Sequence, residues 1–223
     1  MKKALSILLA MGMTVGMVAG CGDTADNSSA AASAADIKVG VIYIGDENEG
    51  YTAAHMAGID EMAANLGLSD DQIIEKTTIP EDESCYDAAV DLADQGCNII
   101  FATSFGHETY ILQAAQEYPD IQFCHATGYQ AASSGLSNMH NYFDAIYEAR
   151  YVSGVVAGMK LNEMIENGTI TADQAKIGYV GAFPYAEVIS GYTSFYLGAK
   201  SVCPSVTMEV KYTNSWASFD LEK

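Results

Sequence analysis

The sequence predicts an α/β protein in which a parallel sheet carries helices on both faces, and two observations lead to this class. Short β-rich runs alternate with longer segments whose apolar residues recur at helical spacing. The first run, at 37–45, is apolar on both faces, which is typical of a strand between two helical layers. From residue 37 the chain is long enough for one ordinary domain, or for one lobe and part of another.

Four strands and the helices between them make up the first half of the folded part. The runs "IKVGVIYIG", "IIEKTTI", "NIIFA" and "IQFCHA" predict the strands. The helices are expected at 51–66, in a segment that ends at Gly96, and in "ETYILQAAQEY", which Pro119 ends. In proteins with a parallel sheet, ligands bind at the carboxyl ends of the strands. The loops at 45–52 and 103–109 follow two predicted strands and are therefore the candidate site.

The pattern resumes after the turn-rich connector "TGYQAASSG". We expect a strand in "LSNMHNY", a long helix at 144–166, and strands in "AKIGYVGAF" and "TMEVKY" with a helix between them. Gly154 and Gly158 have the spacing of membrane helix pairs, but Arg150 and Lys160 leave an uncharged core far short of the roughly 20 residues that a span needs. The two glycines therefore predict close packing on a helix outside the membrane.

The amino terminus predicts secretion and lipid anchoring. Lys2 and Lys3 precede an uncharged apolar run at 4–20, which is the pattern of a signal peptide at 1–20. "VAGC" is similar to a bacterial lipobox, in which Cys21 would carry the lipid after cleavage. The small polar residues that follow Cys21 predict a flexible tether, which gives a lipidated segment at 21–36. A transmembrane helix is the alternative for the apolar run.

The charge balance limits the partners. The chain has 29 acidic and 10 basic residues and a formal net charge of −19. Nucleic acids and anionic lipid surfaces need clustered Lys and Arg, so neither is an expected partner, and solubility is the simpler explanation of the charge. The membrane is contacted only through the lipid anchor.

The residue types of catalytic and metal sites are scattered. The four histidines form no H-E-x-x-H, and the cysteines form no C-x-x-C, so neither a metal site nor a cofactor nor a catalytic group is predicted. Cys124 and His125 are adjacent, but on a strand their side chains point to opposite faces. The cysteines after Cys21 show no disulfide spacing, and we expect buried thiols: Cys85, Cys97, Cys124 and Cys203.

"GDENEGYT" at 45–52 has the outline of a phosphate-binding loop, but Tyr51 stands where that loop has lysine. Asp46, Glu47 and Glu49 would repel the phosphate oxygens. The loop therefore does not predict a phosphate site, and Glu47 and Glu49 are interpreted as solvated.

Several runs resemble the basic membrane protein (BMP) family of solute-binding lipoproteins, among them "GVIYIGDENEGYTAAHMAG", "YEARYVSGVVAGM", "KIGYVGAFPYAEVISGY" and "TNSWASFD". The resemblance implies the type I periplasmic binding protein fold, with two Rossmann-like α/β lobes, here at 37–134 and 135–223. The second lobe is expected to be incomplete, since it shows about two clear strands where a sheet usually has about five or six. The family binds purine nucleosides for ABC importers, which implies a purine nucleoside or base as ligand and ABC permease subunits as partners.

The resemblance also implies which residues bind the ligand. Tyr51 falls where the family has an aromatic residue that stacks on the base, and Thr52 is a polar contact beside it. Asn48 stands where many members have aspartate. A nucleoside needs an aromatic face and a few polar groups. The implied binding residues come from both lobes: Asn48, Tyr51, Thr52, Phe105, Glu108, Thr109, Phe183 and Trp216.

Two other functions remain open at this point. A lipoprotein on this fold could sense a ligand for a membrane signalling partner, and an extracellular enzyme could process nucleosides. Both alternatives keep the same location, on the outer side of the cytoplasmic membrane.

Overall fold

The computed structural model describes residues 36–223, which belong to one compact unit containing two parallel sheets. The predicted α/β class is therefore confirmed. The predicted signal segment, Cys21 and the tether up to residue 35 lie outside the described residues. None of the helices in the described part is long and apolar enough to cross a membrane.

The first lobe is a five-stranded sheet with the order β2-β1-β3-β4-β5, in which every pair of neighbours is parallel. Its strands are β1 (Val39–Ile42), β2 (Ile73–Lys76), β3 (Ile99–Ala102), β4 (Gln122–Ala126) and β5 (Met139–Tyr142). Its helices are α1 (Gly50–Leu66), α2 (Glu83–Asp94), α3 (Glu108–Glu117) and the single turn α4 (Ala131–Ser134). The strand order reverses between β1 and β3, which creates a crevice at their carboxyl ends.

Both faces of β1 are buried, as its unbroken apolar sequence predicts. Val41 and Tyr43 pack with α1 on one face, whereas Ile42 belongs to the cluster under α2 and α3 on the other. Gly40 lets α2 approach, because a Cβ there would lie 2.9 Å from the Cδ1 atom of Leu92. This double burial fixes the loops at the carboxyl ends of β1 and β3, where the candidate site lies.

The predicted boundary after residue 134 is wrong for β5. This strand pairs with β4 in the first sheet, with Phe123 opposite Met139, instead of opening the second lobe. Met139 is buried, and Asn138 ties the start of the strand to the first lobe by donating to the carbonyls of Ala115 and Ile121, each at 2.9 Å. The chain leaves the first lobe after β5.

The second lobe in the described residues contains two helices and two parallel strands. These are α5 (Ile146–Glu166), β6 (Lys176–Gly181), α6 (Ala186–Val202) and β7 (Thr207–Tyr212). The predicted close packing of α5 is confirmed, because a Cβ at Gly154 would overlap the carbonyl oxygen of Phe195 in α6. Gly198 of α6 meets the Tyr151 carbonyl of α5 in the same way.

The four cysteines of the described part carry free thiols. Cys85, Cys97 and Cys203 are buried as predicted, and Cys124 is half-buried. Burial raises the pKa of the Cys85, Cys97 and Cys124 thiols, which keeps them protonated and unreactive at neutral pH.

Candidate ligand-binding site

A cavity of about 400 Å³ lies where the first sheet ends, and residues of both lobes line it. The first lobe contributes the ends of β1, β3 and β4 and the start of α1, and the second lobe contributes α6 and the segment after β7. The lining residues are Ile44, Gly45, Glu49, Tyr51, Thr103, Ser104, Phe105, Thr127, Glu187, Ser215, Trp216 and Ala217. Its volume falls in the range of small-molecule sites.

Glu49 caps the amino terminus of α1, and this corrects its interpretation as a solvated residue. Its carboxylate accepts hydrogen bonds from the backbone N–H groups of Tyr51 and Thr52, each at 2.7 Å. Those are the groups with which a phosphate loop would bind its ligand. The protein's own carboxylate therefore occupies the position that a phosphate would need.

Tyr51 is held at the cavity wall from two sides. Its hydroxyl donates to the carbonyl oxygen of Thr103 at 2.6 Å, and its ring meets His55 edge to face, with 4.5 Å between ring centroids. Burial first, and then the nearby Glu187 carboxylate, raise the pKa of Tyr51. The phenol therefore stays protonated and keeps its hydrogen bond to Thr103 at neutral pH.

The two polar neighbours of Tyr51 lie away from the cavity wall. Thr52 is fully buried beneath Gly45, where its Oγ1 atom has no hydrogen-bond partner among the described residues. Asn48 is exposed, and its backbone N–H and side-chain amide both donate to Asp46, at 2.9 and 3.2 Å. In this conformation neither side chain reaches the cavity.

An aromatic cluster connects the two lobes next to the cavity. Phe105 of the first lobe stacks on Tyr185 with 4.8 Å between centroids, and Tyr185 stacks on Phe183 at 5.1 Å. Phe183 in turn meets the Trp216 ring at 4.9 Å. Phe105 and Trp216 line the cavity, whereas Phe183 does not line it and contacts the rings of Tyr185 and Trp216. Tyr185 was not predicted, although it lies two residues from Phe183 in the same loop.

Trp216 also contacts the first lobe through its indole nitrogen. Its Nε1–H donates to both carboxylate oxygens of Glu81, at 3.0 and 3.1 Å. Glu81 lies between β2 and α2 and also accepts from the Ser104 hydroxyl at 2.6 Å and the Gly106 N–H at 2.7 Å. One carboxylate thus connects two segments of the cavity wall that belong to different lobes.

Glu108 and Thr109, which the family resemblance placed in the site, lie elsewhere. Glu108 is buried, and its carboxylate accepts from the backbone N–H groups of Tyr129 and Gln130, each at 2.7 Å, and from the Asn141 amide at 2.9 Å. It organises the loop between β4 and α4. Thr109 is exposed on α3. Neither residue lines the cavity in this conformation.

Two lining residues carry buried polar atoms without a hydrogen-bond partner among residues 36–223, namely Thr127 Oγ1 and Glu187 Oε2. Thr127 follows β4 with φ at +68°, a left-handed conformation that is costly for a β-branched residue and that clusters at functional sites. Burial raises the pKa of Glu187. The sequence prediction missed both, although Thr127 lies at the carboxyl end of a strand, where the site was expected.

Two buried histidines support the wall from behind. His125 Nε2 lies 2.7 Å from the Ser104 carbonyl and His107 Nε2 lies 3.0 Å from the Ile79 carbonyl, so each Nε2 carries the proton. Burial lowers the pKa of His125 to about 4 and also lowers that of His107, so both rings are neutral at pH 7. Within the described residues, no three His, Cys, Asp or Glu side chains are grouped to hold a metal ion.

Comparison with known proteins identifies relatives of this chain. It is 36% identical over 184 residues to a purine-binding protein of Brucella abortus, covering 81% of this chain and 47% of that protein. It is 40% identical over 119 residues to a putative ABC transporter glucose-binding protein of Haloferax volcanii, covering 53% of this chain and 27% of the other.

The fold is also found in a solved structure. An ABC transporter solute-binding protein of Conexibacter woesei superposes with a TM-score of 0.60 at 21% identity, covering 83% of this chain and 57% of that one. This chain therefore spans about half the length of the Brucella and Conexibacter proteins and about a quarter of the Haloferax protein. The model of the Bmp family, described as PnrA-like ABC transporter substrate-binding proteins, matches residues 36–223, and the chain belongs to this family.

Proposed function

We propose that this protein is the solute-binding component of an ABC importer and that it binds a purine nucleoside or base between its two lobes. The observation that carries the proposal is a cavity whose aromatic residues come from both lobes, with Tyr51 and Phe105 from the first lobe and Trp216 from the second. Proteins hold flat bases by stacking them on aromatic side chains, because every base has a π-face. The relative from Brucella abortus, named a purine-binding protein, supports the same ligand class.

The polar groups of the cavity suit a neutral ligand that can donate hydrogen bonds. Glu187 Oε2 can accept from a base N–H or a sugar hydroxyl, and Thr127 Oγ1 can accept or donate. A buried polar atom that gains a partner from the ligand avoids its desolvation cost. A phosphate would meet the carboxylates of Glu49 and Glu187 in the same cavity, so a nucleotide is disfavoured.

The cellular setting of this proposal comes from the amino terminus and from the family. We propose that Cys21 carries a lipid, that the folded part lies on the outer side of the cytoplasmic membrane, and that ABC permease subunits receive the ligand. Delivery to a sensing partner and enzymatic turnover are the competing functions. Incubating the protein with the best ligand and finding unaltered ligand after hours would argue against turnover.

A thermal-shift panel tests the ligand class directly, since a ligand that binds only the folded state raises the Tm. At 100 times Kd the stabilisation is about 2.7 kcal/mol, which corresponds to a rise of roughly 5–10 °C for a domain of this size. We expect such rises for adenosine, guanosine, inosine or their bases, and no rise for AMP or GMP. A response to glucose alone would favour the ligand class named for the Haloferax relative, and the purine assignment would then be wrong.

A further inference from the structure

Glu81 is the residue through which the first lobe holds the tryptophan of the second lobe. It lies 135 positions before Trp216 in the chain, yet the indole N–H reaches both of its carboxylate oxygens, at 3.0 and 3.1 Å. Hydrogen bonds to an ionised acceptor are roughly twice as strong as neutral ones. Glu81 is not a lining residue, so it acts on the cavity only through its neighbours.

The first lobe holds the carboxylate through two further hydrogen bonds. The Ser104 hydroxyl and the Gly106 N–H both donate to Oε1, at 2.6 and 2.7 Å. Gly106 leaves the space for this side chain, because a Cβ there would lie 2.6 Å from the Glu81 Cδ atom. Both donors belong to the first lobe, so these two hydrogen bonds do not depend on the contact with Trp216.

We propose that Glu81 is a positioning residue that fixes the Trp216 ring against the cavity and thereby couples ligand stacking to closure of the lobes. The coupling to a ligand rests on the proposed function, whereas the fixing of Trp216 does not. Trp216 lines the cavity, and so does Ser104, whose hydroxyl also donates to the Glu81 carboxylate. A ligand that stacks on Trp216 therefore gains affinity from a ring that Glu81 has already oriented.

Intrinsic tryptophan fluorescence measures this contact directly, because Trp216 is the single tryptophan of the chain. We expect Glu81→Gln and Glu81→Ala to shift the intrinsic emission to longer wavelength and to raise the acrylamide quenching constant about twofold or more, without any ligand. Glu83→Gln is the matched control, since Glu83 is an exposed carboxylate two residues away that does not contact Trp216. Circular dichroism checks that each variant is folded, and Glu81→Gln keeps the shape of the side chain if the alanine variant does not fold.

A double-mutant cycle then tests the coupling to the ligand. Glu81→Ala, which removes the acceptor, should weaken the best purine ligand roughly 10- to 150-fold, the range for losing one hydrogen bond to a charged group. In a Trp216→Phe background, which has no N–H to donate, the same change should cost less than about threefold. Equal losses in both backgrounds would mean that Glu81 does not act through Trp216. Unchanged emission and quenching in both Glu81 variants would overturn the proposal even if purines bind, whereas altered emission without purine binding would refute only the ligand assignment.

Discussion

The Tyr51 hydroxyl donates a 2.6 Å hydrogen bond to the carbonyl of Thr103, the residue that follows β3. This bond joins the start of α1 to the end of β3 across the point where the strand order reverses. The hydroxyl proton is therefore already donated to Thr103 and is not available to a ligand. A ligand can meet the ring face of Tyr51 and the lone pairs of its oxygen, and the ring is already fixed before the ligand arrives.

Tyr51→Ala should weaken purine binding by about 1–3 kcal/mol, or roughly 5- to 150-fold, because one stacking face is lost. Tyr51→Phe keeps the face and loses only the bond to Thr103, so it should cost about 0.5–1.5 kcal/mol at most. Calorimetry with the ligand that gives the largest thermal shift measures both values. Equal affinities for Tyr51→Ala and the wild type would exclude the stacking role.

Glu187→Gln should stabilise the ligand-free protein at neutral pH and weaken ligand binding at the same time. Burial raises the pKa of Glu187, so the folded state binds this proton more tightly than the unfolded state does. The protonated carboxyl therefore contributes to the free energy of unfolding. This contribution is fully present below the unfolded-state pKa and is lost as the pH rises through the folded-state pKa. The variant avoids this loss, so its Tm advantage should be larger at about pH 7 than at about pH 4.

Thermal unfolding across this pH range measures the effect, with Glu148→Gln on the exposed start of α5 as the control. A Tm difference that does not grow with pH would show that Glu187 titrates normally. Unchanged affinity in Glu187→Ala, which removes the acceptor, would show that Glu187 Oε2 does not accept from the ligand.

Gly154→Ala should destabilise the second lobe by about 1–3 kcal/mol or more, because the new methyl group would overlap the Phe195 carbonyl between α5 and α6. Gly58→Ala is the control. Gly58 is an exposed position of α1 where a Cβ meets nothing within 4 Å, so this change should stabilise by about 0.5–1 kcal/mol. Denaturant unfolding measures both changes, and a neutral Gly154→Ala would mean that the two helices can separate at little cost.

Glu108→Ala should lower stability by about 1–3 kcal/mol for each buried donor that it leaves without a partner. Those donors include the backbone N–H groups of Tyr129 and Gln130. Its neighbour Thr109→Ala should change neither stability nor affinity, since Thr109 is exposed on α3. Loss of ligand affinity in Thr109→Ala, measured beside its Tm, would restore the binding role that the family resemblance implied.

Cys21→Ser should abolish lipid attachment if Cys21 is the lipidated residue. Labelling of the expressed protein with radioactive palmitate in a bacterial host tests this, with Cys124→Ser as the control because Cys124 lies within the folded part. Palmitate on the Cys21→Ser protein would contradict the anchor.

Local patterns were enough to predict most of the helices and strands, because their periodicity depends on residues that are close together in the sequence. The alternation of strands and helices, the close-packed glycines of α5 and the poor fit of phosphate to "GDENEGYT" could all be predicted in this way. The exposed or buried state of single loop residues could not. Glu49 was expected to be solvated, but it caps α1, since capping depends on where the helix begins to within one residue.

The pairing of β5 and the surroundings of Glu108 depended on contacts between distant parts of the chain. The residues of "LSNMHNY" do not determine which sheet the strand joins. Strands pair through backbone N–H and C=O groups, and these are the same in every sequence. Glu108 became a buried acceptor because the loop after β4 and Asn141 of β5 surround it with donors. Glu81 and Trp216, which are 135 positions apart, meet only once both lobes are formed, and no local pattern relates a loop glutamate to a distant indole.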